Sequence, residues 1–302
     1  MNKPNTFTKK IDIKLEKKLR EDLLTQGFEF FEVPYALFGA KKNNIICILY
    51  RSGSLVVQGK DKDEFIEFYL EPEILKDFAY THPESKIDTH SRIGVDEAGK
   101  GDFFGPLCVA AFYADEPIIK KLISLKIQDS KKIQDTSIIK LAKELKKFPH
   151  HIISIFPKKY NELHKKFNNL NYLLAWGHVT AIENLVQKTN CENIIIDQFA
   201  SEHVIESFIK QKKLDHLHVK QRHRAEEDIV VAAASILARD AFINGLERLE
   251  KHFNVTLPKG ASQKVIQAGI NIIKEHGSNI MDEIAKTHFK TKDKILQNID
   301  ND

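Results

Sequence analysis

The stretch Ile93-Gly94-Val95-Asp96-Glu97-Ala98-Gly99-Lys100-Gly101-Asp102-Phe103-Phe104-Gly105-Pro106 constrains this chain more than any other. An apolar run ends in two adjacent carboxylates. A glycine-rich, donor-rich turn follows, then a second apolar run over 107–114. The pattern predicts a strand, a tight turn and a second strand. Carboxylates at a strand end sit on rigid backbone, which suits a hard cation such as Mg²⁺ that prefers oxygen ligands. In a pleated strand Asp96 and Glu97 would point to opposite faces. They share one site only if the strand ends or bends there, and Gly99 is placed to allow it. Gly99 and Gly101 have no Cβ, so their backbone is able to approach another molecule closely.

Two further segments repeat the logic. Asn193-Ile194-Ile195-Ile196-Asp197-Gln198-Phe199 is an apolar run closed by a carboxylate. Such a run reads as a strand buried on both faces, with Asp197 at its C-terminal end. Glu226-Glu227-Asp228 precedes an alanine-rich run, 230–238, and is expected in the first turn of a helix spanning 226–251. Acids there favour the helix dipole, and Asp197 alone reads equally well as a cap or turn residue. Neither local reading explains why three element ends in one region all carry acids. Converging carboxylates repel one another unless cations neutralise them, and a pair of metal ions is the usual solution in nucleases.

The remaining pattern divides the chain. Apolar spacing predicts a helix over 11–26, with Ile13, Leu15, Leu19, Leu23 and Leu24 as its apolar positions and Gly27 ending it. Strands are expected over 28–33, 36–40, 44–50 and 54–58, and a helix over 61–80 with Phe65, Phe68 and Leu70 buried. Residues 1–80 thus form a small α+β unit without a catalytic pattern, and the polar segment 81–91 (THPESKIDTHS) reads as a linker. From residue 92 to 302 strands alternate with helices, which implies an α/β domain with a mixed central sheet. The net charge of +4 conceals basic blocks: residues 118–171 carry thirteen Lys against four acids, and residues 1–60 eleven Lys/Arg against six. That distribution favours a polyanionic partner.

Cys47, Cys108 and Cys191 are far apart and lack CxxC spacing, so they read as buried thiols in a reducing compartment. The N-terminus shows no signal peptide and no apolar run approaches membrane-spanning length, which leads to the expectation of a cytoplasmic protein. His178, His223, His252 and His288 are scattered and are expected to be structural or solvent-facing. His223 lies close to the acidic cluster, so a minor catalytic role is left open.

On these residues the chain resembles the type 2 ribonucleases H, and the GDFFGP continuation resembles their ribonuclease HIII branch more than ribonuclease HII. The resemblance extends through Asp129-Ser130-Lys131-Lys132, Ile196-Asp197-Gln198-Phe199, 231–239 (VAAASILAR), 257–261 (LPKGA) and His288-Phe289-Lys290. It implies a ribonuclease H-like mixed sheet flanked by helices, with an N-terminal α+β domain resembling the TATA-box-binding-protein fold. It also implies an endonuclease that cuts the RNA strand of RNA–DNA hybrids by a two-metal-ion mechanism, using Mg²⁺ or Mn²⁺ and leaving 3′-hydroxyl and 5′-phosphate ends. Asp96, Glu97 and Asp197 match the family's metal-binding carboxylates. Glu226 is the choice for the fourth, with Glu227 or Asp228 as alternatives. Gly99, Lys100 and Gly101 would bind the RNA strand, with Lys100 standing where relatives carry a small residue or Arg. Ser130 and Lys131 would bind phosphate. The N-terminal unit would add affinity through Lys9, Lys10, Lys14, Lys17, Lys18, Arg20, Lys41 and Lys42. The HIII branch lacks the tyrosine that serves single-ribonucleotide recognition, so cutting within a run of ribonucleotides is expected. Alternatives are a catalytically inactive hybrid-binding protein, or ribonuclease HII-like excision at single ribonucleotides. No protein partner is implied, and a monomer is expected.

Overall fold

Two units make up the chain, Met1–Asp88 and Thr89–Asp302. The computed structural model describes residues 5–81 and 88–300, so part of the expected linker, 82–87, lies outside the described residues.

The first unit is a five-stranded antiparallel sheet in the order β1-β5-β4-β3-β2, built from β1 (Thr6–Lys10), β2 (Glu29–Phe31), β3 (Ala36–Lys42), β4 (Ile45–Tyr50) and β5 (Ser54–Gln58). Strand β1 is absent from the sequence reading. Its polar TFTKK pattern takes extended form only by pairing with β5, Thr6 against Gln58. Helix α1 (Glu16–Thr25) buries Leu19 and Leu23 on the sheet, whereas Ile13 and Leu24 are exposed, a narrower apolar stripe than the spacing implied. The expected helix over 61–80 is a short α2 (Lys62–Phe65) followed by a π-helical run, Ile66–Leu75. Widening the turn to i→i+5 bonds changes which residues share a face. Phe65, Tyr69, Leu70 and Ile74 are therefore buried while Phe68 is exposed, contrary to the expectation for Phe68.

The second unit is built on a mixed sheet in the order β10-β9-β6-β7-β8. Its strands are β6 (Arg92–Ala98), β7 (Leu107–Ala114), β8 (His150–Ile155), β9 (Asn193–Asp197) and β10 (His218–Arg222). Strands β6 and β7 form the antiparallel pair around the Gly-rich turn, Asp96 opposite Ala110 and Glu97 opposite Val109. Strands β9 and β10 run parallel to β6. Around the sheet stand α3 (Glu116–Ser124), α4 (Asp135–Leu145), α5 (Pro157–Phe167), α6 (Leu170–Thr189), α7 (Glu202–Gln211) and α8 (Ile229–Phe253). The chain ends in α9 (Gln263–His276), α10 (Met281–Ile284) and α11 (Lys290–Asp300). Cys47, Cys108 and Cys191 are buried free thiols.

Helix α8 is the central helix. By length and composition it is apolar enough to cross a membrane, which corrects the sequence reading, but 78% of that window is buried inside the unit. The acids before it are not in its first turn. Ala225–Glu227 is a separate 3-10 turn, and Asp228 is the N-cap, accepting a hydrogen bond from the Val230 N–H at 2.9 Å. Val230, Val231, Ala233 and Ala234 are fully buried, so α8 lies directly on β6. Gly94 makes that approach possible. A Cβ there would stand 2.5 Å from the Val231 nitrogen and 2.6 Å from the Val230 carbonyl carbon. Both neighbours are backbone and cannot rotate away. Gly94→Ala is expected to destabilise the unit by about 1–3 kcal/mol or more, read as a lower urea midpoint at unchanged slope.

Candidate active site

The register of β6 and β9 sets the site. Ile93 pairs with Ile194, Gly94 with Ile195 and Val95 with Ile196. One step further sets Asp96 beside Asp197, at the C-terminal ends of adjacent parallel strands, where ligands of open α/β sheets gather. Asp197 is also in register with Arg222 of β10, and its Oδ1 accepts a hydrogen bond from the Ala225 N–H at 3.0 Å. That bond ties the 3-10 turn bearing Glu226 to the end of β9.

Asp96, Glu97, Gly99, Lys100, Gly101, Ser130, Lys131 and Asp197 line one cleft of about 430 Å³, together with Asp102, Arg239, Phe242 and Lys259. Glu226 is not among its walls, but its charge acts on Lys131, which is. Burial alone would lower the Lys131 ammonium, yet Asp96, Asp129, Glu226 and Asp197 together raise it above the ordinary lysine value. The neighbouring acids are placed differently. Asp228 is buried and its Oδ2 accepts from Arg92 Nε at 2.9 Å. Glu227 is exposed, 3.9 Å from Arg224.

Two devices make the turn after Glu97. Gly99 has φ +87°, and a Cβ on it would stand 2.2 Å from the Pro106 carbonyl oxygen, so no other residue fits. Gly101 has open space around it and contributes exposed backbone. The turn is then tied to the C-terminal segment. The Gly260 N–H donates to Asp102 Oδ1 at 2.6 Å, and Phe103 and Gly105 donate their N–H groups to the carbonyls of Gly260 and Ile284. Lys286, fully buried, donates Nζ to the Gly105 carbonyl at 2.5 Å and to the Phe104 carbonyl at 3.3 Å. Burial pushes the Lys286 ammonium from 10.5 down to about 7. Between those values the unfolded chain holds a proton that the folded chain lacks, so stability rises with pH across the window. Below pH 7 the burial cost is fully present. Wild type is expected to gain about 1 kcal/mol per pH unit from this group between pH 7 and 10, a gain that Lys286→Met removes in urea titrations.

The electrostatics of the two leading carboxylates diverge. Burial first, and then the charge of Glu97, hold the Asp96 carboxyl well above the usual range. Burial would raise Glu97 too, but His178 and Lys100 outweigh it and hold its carboxyl low. His178 lies on α6, is 0% exposed, and donates Nε2–H to Glu97 Oε2 at 3.0 Å. Lys100 Nζ stands 3.6 Å from Glu97 Oε1 and over the Phe199 ring, which also packs against His178. His178 was expected to be structural or solvent-facing; it is buried against Glu97. Its Nδ1 has no partner among the described residues, so the ring serves to orient one carboxylate. His178→Ala is expected to lower cleavage by about 10–100-fold with hybrid binding retained, and His178→Gln, whose amide still donates, to recover part of the loss. Nothing local in the sequence marks His178, which stands 81 positions from Glu97. His223 is exposed.

Among the described residues no three His, Cys, Asp or Glu side chains are drawn together tightly enough to grip a metal as they stand. The donor chemistry nevertheless fits a hard divalent ion. Asp96, Glu97 and Asp197 bring carboxylate oxygens to one cleft, and Asp96 is held above its ordinary range by burial and then by the charge of Glu97, both of which a bound cation would offset.

Several of the basic side chains expected to serve the N-terminal unit have partners on its own surface. Lys9 pairs with Asp77, Lys18 with Glu73, and Lys41 with Glu29. Arg20 lies over the Phe30 and Phe38 rings, and Lys42 donates to the Gln26 carbonyl.

A five-stranded mixed sheet with carboxylates at the ends of its two central parallel strands defines a nuclease of the ribonuclease H class. Residues 93–292 match the family model described as Ribonuclease HII, and residues 7–81 match one described as a domain of unknown function. A ribonuclease HIII of Protochlamydia amoebophila is 50% identical over 291 residues, covering 96% of each chain. One of Chlamydia pneumoniae is 47% identical over 97% of this chain and 98% of its own. The crystal structure of Bst-RNase HIII in complex with Mn²⁺ superposes with a TM-score of 0.69 at 28% identity, covering 98% of this chain and all of that one. The chain belongs to the ribonuclease HIII family. It is a ribonuclease H enzyme, of a family that acts on RNA–DNA hybrids and needs a divalent metal.

Proposed function

We propose that this chain hydrolyses the RNA strand of RNA–DNA hybrids within runs of ribonucleotides, leaving 3′-hydroxyl and 5′-phosphate ends. Asp96, Glu97, Asp197 and Glu226 would hold two divalent cations, Mg²⁺ or Mn²⁺. The observation that carries this reading is the juxtaposition of Asp96 and Asp197 at the ends of paired parallel strands in one cleft with Glu97. Glu226 is preferred as the fourth carboxylate because its charge acts on Lys131 together with those of Asp96 and Asp197, while Asp228 is committed to Arg92. Bound there, divalent cations would lower the pKa of the attacking water and neutralise charge on the leaving oxygen. The chain's own residues do the rest. Glu97 is oriented by His178 and Lys100. Gly99, Lys100 and Gly101 offer backbone donors to 2′-hydroxyls, the group that separates RNA from DNA. Ser130 and Lys131 contact phosphate. The basic block 118–171 and the N-terminal unit, a module of residues 1–80 ahead of a catalytic domain of residues 92–302, add electrostatic affinity that falls with salt.

The test is cleavage of an end-labelled RNA–DNA hybrid with Mg²⁺, with Mn²⁺ and with EDTA, beside duplex DNA holding one ribonucleotide. Metal-dependent cutting inside the ribonucleotide run, with little at the single ribonucleotide, is the expected result. Efficient cutting at the single ribonucleotide would move the protein to ribonuclease HII-like excision. Binding without cutting in either metal would leave an inactive hybrid-binding protein.

A further inference from the structure

Among the described residues the cleft is lined by four cationic side chains, and they divide into two sets. Lys100 stands 3.6 Å from Glu97, and Lys131 feels the charges of Asp96 and Asp197 in the cleft and of Asp129 and Glu226 beside it. Arg239 and Lys259 also line the cleft, yet both turn to a different acid. Arg239 gives Nε and Nη2 to Asp135 Oδ1 at 3.2 and 2.9 Å, and Lys259 donates Nζ to Asp135 Oδ2. The three come from distant parts of the chain: Asp135 opens α4, Arg239 lies mid-way along α8, and Lys259 sits in the turn before α9.

The arrangement has a net charge of +1, and its three side chains are each 31–39% exposed. Half-exposed pairs of this kind add little to stability. Their effect is geometric. Two like charges are held side by side on one wall because they share a carboxylate, while Asp135 itself is not among the cleft-lining residues. A guanidinium engaged through Nε and Nη2 still has N–H groups to offer, and an ammonium with one bond made has two more. The turn carrying Lys259 is fixed independently by the Gly260 N–H to Asp102 Oδ1 bond. The result is a pre-set pair of donors whose charge Asp96, Glu97 and Asp197 do not consume.

We propose that Arg239 and Lys259 form a second phosphodiester subsite on the wall of the cleft, taking a backbone phosphate of the bound duplex other than the scissile one, with Asp135 as the residue that positions both. The proposal rests on the nuclease reading above.

Binding of a fluorescently labelled RNA–DNA hybrid to the full chain is measured in EDTA across a salt series. Arg239→Ala and Lys259→Ala are each expected to flatten the plot of log affinity against log salt by about 0.9, so that the loss between 50 and 200 mM salt is about threefold smaller per variant. Arg239→Lys and Lys259→Arg, which keep the charge, should stay near the wild-type slope. Asp135→Asn is the sharpest arm. Removing an acid makes the cleft more positive, so charge alone predicts tighter binding. Positioning predicts weaker binding and a flatter slope. Wild-type slopes in both alanine variants, or tighter binding by Asp135→Asn, would overturn the subsite. Cleavage of the same hybrid by wild type with Mg²⁺ is run in parallel. Normal cleavage with unaltered slopes would overturn the subsite alone, whereas a wild type that neither binds nor cuts would overturn the nuclease reading with it.

Discussion

Asp197→Asn is expected to abolish cleavage of an RNA–DNA hybrid, by at least about a thousandfold, the scale on which catalysis falls when a group built around the transition state is removed. The fold should be unaffected. Asp197 Oδ1 accepts the Ala225 N–H, and an asparagine carbonyl accepts the same bond. Only the charge disappears, and with it one of the anionic oxygens that a divalent ion requires at the end of β9. Hybrid binding in EDTA should therefore stay near the wild-type value, because the phosphates are met by cations and not by Asp197. The two readings separate cleanly in one preparation: cleavage by gel, binding by anisotropy, folding by urea midpoint. Retained cleavage would remove Asp197 from the site, and parallel loss of binding would make its role structural.

Asp228→Ala should act in the opposite way, on stability first. Arg92 is 3% exposed and Asp228 8%, and their contact, Nε to Oδ2 at 2.9 Å, joins the start of β6 to the start of α8. Removing the carboxylate takes from the buried guanidinium its 2.9 Å ion pair, and breaking one partner of a buried pair costs about 3–5 kcal/mol. Loss of the N-cap bond to Val230 is included in that change and by itself costs about 1 kcal/mol. Glu227→Ala, at the position immediately before, removes an exposed side chain and should shift stability within about 0.5 kcal/mol. Urea titration of the two variants side by side checks the contrast. A small effect of Asp228→Ala would mean that α8 does not depend on this pair.

The carboxylates at the ends of β6 and β9 were legible because an apolar run that stops at an acid marks a strand end locally. The close approach of α8 to β6 was not marked in this way: Gly94, which receives the helix, acquires its meaning only because a Cβ there would stand 2.5 Å from the Val231 nitrogen. Other features were not legible. Strand β1 has no apolar alternation of its own and exists through β5. Phe68 looked buried under an α-helical period and is exposed under a π-helical one. Nor does the spacing announce that Lys9, Lys18 and Lys41 of the first unit pair with Asp77, Glu73 and Glu29.

By itself, the sequence determined the class of the fold and the placing of acids toward the C-terminal ends of two strands, because hydrophobic period and turn chemistry act over a few neighbouring residues. Tertiary structure alone decided which acids and cations work together. It sent Asp228 to Arg92 and left the charge of Glu226 acting on Lys131, brought His178 to Glu97, and gathered Arg239 and Lys259 on Asp135. These pairings span between 81 and 136 positions of chain. The forces behind them are burial and Coulomb attraction, which depend on distance in space and leave no mark on the spacing of residues in the chain.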